Sequence, residues 1–258
     1  MFTFAIDKVR LLDHFRKDPV LFGYHIGDLD DFFFPHCQFP SIYSATARIE
    51  DTVLIYAGGT APTVLAFGLT DRFEGLLREV SDFFPAKFFC HYLRPYRSNL
   101  EERFREKQLG THHKMKLEGL RSDAKASGEI VRLSHENSSG LIDFYREAYP
   151  SNYFTPRMLE TGKYFGIRDG KKLAAVAGVH VYSKEYKIAV LGNIATLPEY
   201  RGKGLASAVT GHLCAELVSE GLMVCLNVKG DNSAAIRCYE KLGFVKVCEY
   251  EEGWFEGK

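Results

Sequence analysis

The chain has 258 residues, 46% of them hydrophobic, and its 33 basic side chains balance 33 acidic ones to a formal net charge of zero. That length holds one large domain or two small ones and buries a sizeable core without disulfides or metals. Zero net charge excludes binding to nucleic acid or a membrane surface through global charge.

Met1–Arg10 has no apolar stretch like a secretion signal, and no run approaches the ~18 apolar residues of a membrane span, so neither a membrane nor a nucleic-acid partner is expected. The cysteines (Cys37, Cys90, Cys214, Cys225, Cys238 and Cys248) form no C-x-x-C pair, and several lie in apolar runs. They read as reduced, mostly buried thiols of a cytoplasmic protein. Phe32-Phe33-Phe34 reads as a core or interdomain contact rather than an exposed patch.

In chain order, a helix is predicted near Lys8–Phe15. Strands follow at Tyr43–Glu50, Thr52–Ala57 and Thr63–Gly68, with Gly58-Gly59 as a turn. Next come a helix at Asp71–Phe84, a strand at Ala86–Leu93, a helix at Asn99–Lys107 and a strand at Thr111–Glu118. The polar stretch Gly119–Glu129 reads as a linker. Beyond it, Ser134 is a candidate N-cap, and Leu141, Ile142 and Tyr145 share one helical face. Pro156 opens a short helix. Strands are expected at Tyr164–Arg168, Lys172–Tyr182 and Lys187–Thr196, the first two joined at Asp169-Gly170. A helix over Gly204–Glu220, a strand over Leu222–Lys229, a helix over Asn232–Leu242 and a strand from Phe244 complete the chain. Both halves end in strand-helix-strand-helix-strand order. The expected fold class is α/β with a mixed sheet, as a tandem of similar domains over residues 1–120 and 130–258, only the second with a glycine loop.

That loop lies in Asn193–Ala206. Pro198 cannot donate to a ladder, so the strand ends there. Leu205, Val209, Leu213 and Leu217 recur every four residues, so a helix starts directly after the loop. Gly202 and Gly204 remove side chains where backbone must approach a ligand. The first-turn amides of the helix lack intrahelical partners, its dipole is positive there, and Arg201 and Lys203 add charge, so the run suits a pyrophosphate. A glycine loop alone is equally an ordinary strand-to-helix turn. Neither the Walker phosphate loop nor the G-x-G-x-x-G dinucleotide pattern is present.

Arg201-Gly202-Lys203-Gly204-Leu205-Ala206 resembles the R/Q-x-x-G-x-G/A signature of the GCN5-related N-acetyltransferases (GNAT). Asn232-x-x-Ala235-x-x-x-Tyr239-Glu240-Lys241-Leu242-Gly243-Phe244 resembles the same family downstream. Thr196–Arg201 also looks like the glycine N-acyltransferase (FR47-like) branch, which likewise has a divergent N-terminal half. The resemblance covers roughly residues 130–250, and the first half only by element order.

The resemblance implies an N-acyltransferase that uses acetyl-CoA or another acyl-CoA as co-substrate, without a metal. The arm of CoA would lie as an added strand against the backbone of Ile194, Ala195 and Thr196. The amides of Arg201, Gly202, Lys203, Gly204, Leu205 and Ala206 would hold the pyrophosphate. Tyr239 corresponds to the family tyrosine that protonates the leaving thiolate, a step that suits a phenol with pKa near ~10. Asn232 is placed to cap its helix or to bond CoA.

The general base is not legible. Glu199 reads as structural, His180 as a packed histidine or a base, and a water chain is a third route. His112-His113 has no cysteine or carboxylate at ligand spacing, and adjacent strand residues point to opposite faces, so no metal site is expected. The acceptor wall is expected over Ala148–Arg157, where Tyr149, Asn152, Tyr153 and Phe154 stand without a carboxylate. That composition suits the amine of a small molecule or amino acid. The alternatives are a CoA-binding sensor without turnover and a protein N-acetyltransferase. The first half, lacking the loop, is expected to bind no CoA and to cover part of the acceptor site.

Overall fold

A computed structural model describes residues 1–121 and 128–258. The expected linker Gly119–Glu129 therefore lies partly outside the described residues. The chain forms two compact units, one of Met1–Lys114 with Cys248–Lys258, the other of Met115–Val247. The C-terminal segment thus joins the first unit, whereas a single cut at the linker assigned it to the second half.

The first unit opens with β1 (Thr3–Phe4), α1 (Lys8–Phe15) and α2 (Gly23–Gly27). Helix α1 starts at Lys8 because the Asp7 carboxylate accepts from the amides of Val9 and Arg10. Then come β2 (Cys37–Gln38), β3 (Pro40–Tyr43), β4 (Ile49–Thr52), β5 (Leu54–Tyr56), β6 (Thr63–Ala66), α3 (Phe73–Val80), β7 (Lys87–Tyr92), α4 (Arg97–Glu101) and β8 (Phe104–Leu117), which runs into the second unit. The expected strand Tyr43–Glu50 is broken by a turn between Tyr43, which ends β3, and Ile49, which begins β4: Ser44 N–H donates to Arg48 O, and Ala47 has φ 57°. The expected helix Asn99–Lys107 stops at Glu101, because Phe104 packs against Phe84 and Phe88 and begins a strand. Tertiary burial here overrides a polar local pattern.

The second unit contains β9 (Glu129–Arg132), α5 (Ser138–Ala148), β10 (Phe165–Asp169), β11 (Lys172–Ser183), β12 (Ile188–Thr196), α6 (Leu205–Ser219), β13 (Met223–Lys229) and α7 (Ser233–Leu242). Strand β14 (Phe244–Gly257) leaves it for the first unit. Ser134 does cap, through a capping box with Asn137 over a single 3-10 turn that leads into α5. Pro156 opens a 3-10 turn, Pro156–Thr161.

The sheet order in this unit is β13-β12-β11-β10-β9, antiparallel except for the parallel pair β12/β13. Helix α6 buries Leu205, Val209, Leu213 and Leu217 in a core shared with Ala174, Val176, Leu191, Leu226 and Phe244. A Lys163 ammonium, almost fully buried, pairs with Glu216 and Glu220 of this helix, and Arg132 pairs with Glu216. Among the described residues, no helix is long and apolar enough to cross a membrane. The six cysteines are free thiols.

Candidate active site

The parallel ladder between β12 and β13 pairs Ile188 with Met223, Ala189 with Val224, Val190 with Cys225 and Leu191 with Leu226. It ends there, although β12 runs on to Thr196 and β13 to Lys229. On its other side β12 stays laddered to β11, with Ala195 against Val176 and Thr196 against Ala175. Ile194, Ala195 and Thr196 therefore lie beyond the fork, with one backbone edge held by β11 and the other unladdered toward β13. An extended ligand with amide groups fits such an edge.

Two bulges shape the fork. Val179 pairs with Leu191 and Val181 with Val190, leaving His180 as an extra residue in β11. Gly178 pairs with Gly192 and Val176 with Ala195, so Asn193 and Ile194 stand against Ala177 alone. Asn193 takes φ 53°, which asparagine tolerates better than most residues. Its carbonyl accepts from Tyr145 OH at 2.7 Å, its Nδ2 donates to Tyr164 OH at 2.9 Å, and its Oδ1 accepts from the Tyr153 amide at 3.3 Å. A bulge bends its strand and re-aims the residues beyond it, so this network sets where Ile194–Thr196 lie. Sequence reasoning assigned Asn193 no role. The pair Gly192-Asn193 inside an apolar run was the available signal.

After Leu197 the chain makes a 3-10 turn, Pro198–Tyr200, closed by Tyr200 N–H to Leu197 O and Arg201 N–H to Pro198 O. The Arg201 amide is thus engaged within the turn, and its guanidinium bonds Thr196 O and Ala148 O, each at 3.2 Å. It braces the loop, where the sequence reading gave it a mobile charge. Lys203 Nζ sits 4.9 Å from the centre of the Tyr200 ring. Gly202 and Gly204 have φ 76° and 77°, and a Cβ on either would meet open space. Glycine is required there by backbone conformation, and the room above the loop is open. Gly204 caps α6 directly, so the amides of Leu205 and Ala206 form the first turn of that helix. Glu199 pairs with Lys172 at 2.6 Å, which holds its carboxyl below its ordinary value, a surface brace.

Asn232 Oδ1 accepts from the Ala235 amide at 3.1 Å and caps α7. On that helix Tyr239 is buried, its ring 6.0 Å from that of Phe244. Burial, then the neighbouring Cys238 and Tyr149, push its phenol upward, so it holds its proton throughout the neutral range. Phe154 is core, its ring tilted against Tyr145 and edge-on to Tyr164, and Asn152 bonds its own turn, so the wall is smaller than expected.

The His180 ring lies over Gly192, where a Cβ would come within 1.5 Å of it. Burial lowers its pKa to about 4, partly offset by a hydrogen bond with Asn193. It is neutral at pH 7 but a weak proton acceptor. His112 Nε2 lies 3.2 Å from Glu252 and His113 Nε2 3.3 Å from Glu249, carboxylates that β14 brings from far along the chain. Among the described residues no His/Cys/Asp/Glu group is arranged to hold a metal.

The first unit repeats strand-helix-strand over β6, α3 and β7, with two differences. Its parallel ladder continues to Ala66, the last residue of β6, paired with Tyr92. The turn after β6 has its Leu69 and Thr70 amides bonded to the buried Asp51 carboxylate, at 2.7 and 3.2 Å. An internal carboxyl group occupies that turn.

A forked parallel pair leads through a glycine loop into a helix, and the stretch that holds them, residues 130–244, matches the acetyltransferase (GNAT) family. Over 81 residues the chain is 41% identical to the [ribosomal protein bS18]-alanine N-acetyltransferase of Escherichia coli, covering 31% of this chain and 53% of that protein. The chain thus spans about half the length of that relative. A tandem GNAT protein from the clavulanic acid biosynthesis pathway superposes with TM-score 0.61 at 12% identity, covering 100% of this chain and 98% of that one. A Drosophila protein superposes with TM-score 0.76 at 14% identity, again covering 100% and 98%. These likenesses are of fold.

Proposed function

We propose that the chain is an acetyl-CoA-dependent N-acetyltransferase, with residues 130–247 as the transferase domain and the first unit as a degenerate GNAT-like domain without a CoA loop. The observation that carries this reading is the fork between β12 and β13, opening directly onto the Gly202–Gly204 turn at the start of α6. Ile194, Ala195 and Thr196 bind the CoA arm by strand addition, and the amides of Gly202–Ala206 bind its pyrophosphate. Arg201 holds the loop in shape, and Asn232 acts by capping α7.

The amine nitrogen attacks the thioester carbonyl carbon, the C–S bond breaks, and the thiolate takes a proton from Tyr239. The amine passes its proton to solvent through water, and solvent returns a proton to the Tyr239 phenolate, while burial keeps His180 neutral at pH 7. The acceptor is the amine of a small molecule or amino acid, supported by the apolar, carboxylate-free wall around Tyr149 and Tyr153. The resemblance of Thr196–Arg201 to the glycine N-acyltransferase branch supports the same class. A protein N-terminus is the second reading, favoured by the likeness to the bS18-alanine enzyme.

The test is release of free CoA from acetyl-CoA with amino acids, small amines and alanine-first peptides in separate arms. Turnover with small amines alone supports the first acceptor class, and turnover with peptides alone supports the second. CoA binding without turnover in any arm points to a sensor.

A further inference from the structure

Where β12 and β13 part, each strand carries a buried side-chain atom that has no hydrogen-bond partner among the described residues. On β13 it is Nδ2 of Asn227, in the residue directly after Leu226, the last one laddered to β12. On β12 it is Oγ1 of Thr196. Buried polar atoms are nearly always paired, and leaving an amide donor unpaired destabilises a fold. Two such atoms on the two arms of one fork point to a ligand that completes them.

The strand pattern places Asn227 further. Leu222, Val224, Leu226 and Val228 all belong to the apolar core, so Asn227 projects from the other face of β13. It contrasts with Asn193, whose amide oxygen and nitrogen are both engaged. An amide N–H needs an acceptor, and the phosphates of CoA are provided for at the start of α6. The arm of an acyl-CoA carries amide and thioester carbonyls along its length.

We infer that Asn227 is a cofactor-binding residue whose Nδ2–H donates to a carbonyl oxygen of the acyl-CoA arm lying between β12 and β13. Thr196 Oγ1, which can donate or accept, meets a polar group of the same arm from the opposite strand. This inference rests on the reading proposed above.

The experiment compares CoA with its adenosine bisphosphate fragment, which lacks the arm, by calorimetric titration of the full-length chain. Asn227→Ala is expected to weaken CoA about tenfold, the effect of one buried hydrogen bond, and to leave the fragment unchanged. In the ligand-free chain Asn227→Leu is expected to raise the melting temperature by about 2–4 °C, because it removes an unpaired donor. Equal CoA affinity in wild type and Asn227→Ala overturns the assignment, as does a lowered melting temperature in Asn227→Leu. A wild-type chain that binds neither CoA nor the fragment overturns the reading beneath it, an outcome told apart by the wild-type titration alone.

Discussion

At Tyr239 burial acts in two directions. It pushes the phenol toward the protonated form, so the proton is present at neutral pH, and it opposes release of that proton to the thiolate in the proposed transfer. Tyr239→Phe is expected to lower kcat by about a hundredfold while CoA affinity stays unchanged, as steady-state rates and titration would show. Asn193 acts differently, through backbone and network. Asn193→Ala places a Cβ residue with less αL tolerance at φ 53° and removes the bonds to Tyr164 and Tyr153. A loss of about 2–4 kcal/mol in denaturant unfolding is expected, with Asn193→Gly losing less because glycine accepts the positive φ. Tyr239 was legible in the sequence through its place in the Asn232–Phe244 pattern. Asn193 stood in the run singled out for the loop, but its role depends on Tyr145, Tyr153 and Tyr164, which only folding brings to it.

At the scale of elements, β12, its loop and α6 were legible because their signals are local: a proline stop, two glycines and a four-residue apolar repeat. The fork was not, since it is an absence of pairing between two strands that each look regular. Strand β8 was half missed because its N-terminal part is polar and its anchor there, Phe104, meets Phe84 and Phe88 across the fold. The loop itself gives a sharp expectation. Gly204→Val forces a β-branched side chain to φ 77° at the cap of α6, and CoA affinity is expected to fall more than tenfold in titration.

Helix α6 also carries the pH dependence. Arg132 and Lys163 hold the Glu216 carboxyl down to about 2 from 4.5. A carboxylate with a depressed folded pKa contributes stability that is full above the unfolded pKa and lost as pH falls toward the folded one. Unfolding free energy is therefore expected to drop by roughly 2 kcal/mol between pH 5 and pH 2, and Glu216→Gln should flatten that slope in denaturant titrations at each pH.

For the whole chain, the two units share an element order and differ in what that order leaves open. In the second unit the parallel pair forks, and a Cβ on Gly202 or Gly204 would meet open space. In the first the ladder closes to the end of β6, and the Asp51 carboxylate satisfies the Leu69 and Thr70 amides. Element order was legible from periodicity. The filling of the first turn was not, because Asp51 reaches it from an earlier strand and its sequence neighbours give no sign of the target. This difference supports the proposal of a single CoA site, in the second unit.

Titration of the full-length protein with CoA tests that assignment most directly. One CoA per chain, lost in Gly204→Val and retained in Asp51→Asn, is the predicted result. No binding, two CoA molecules per chain, or binding that survives Gly204→Val would contradict it.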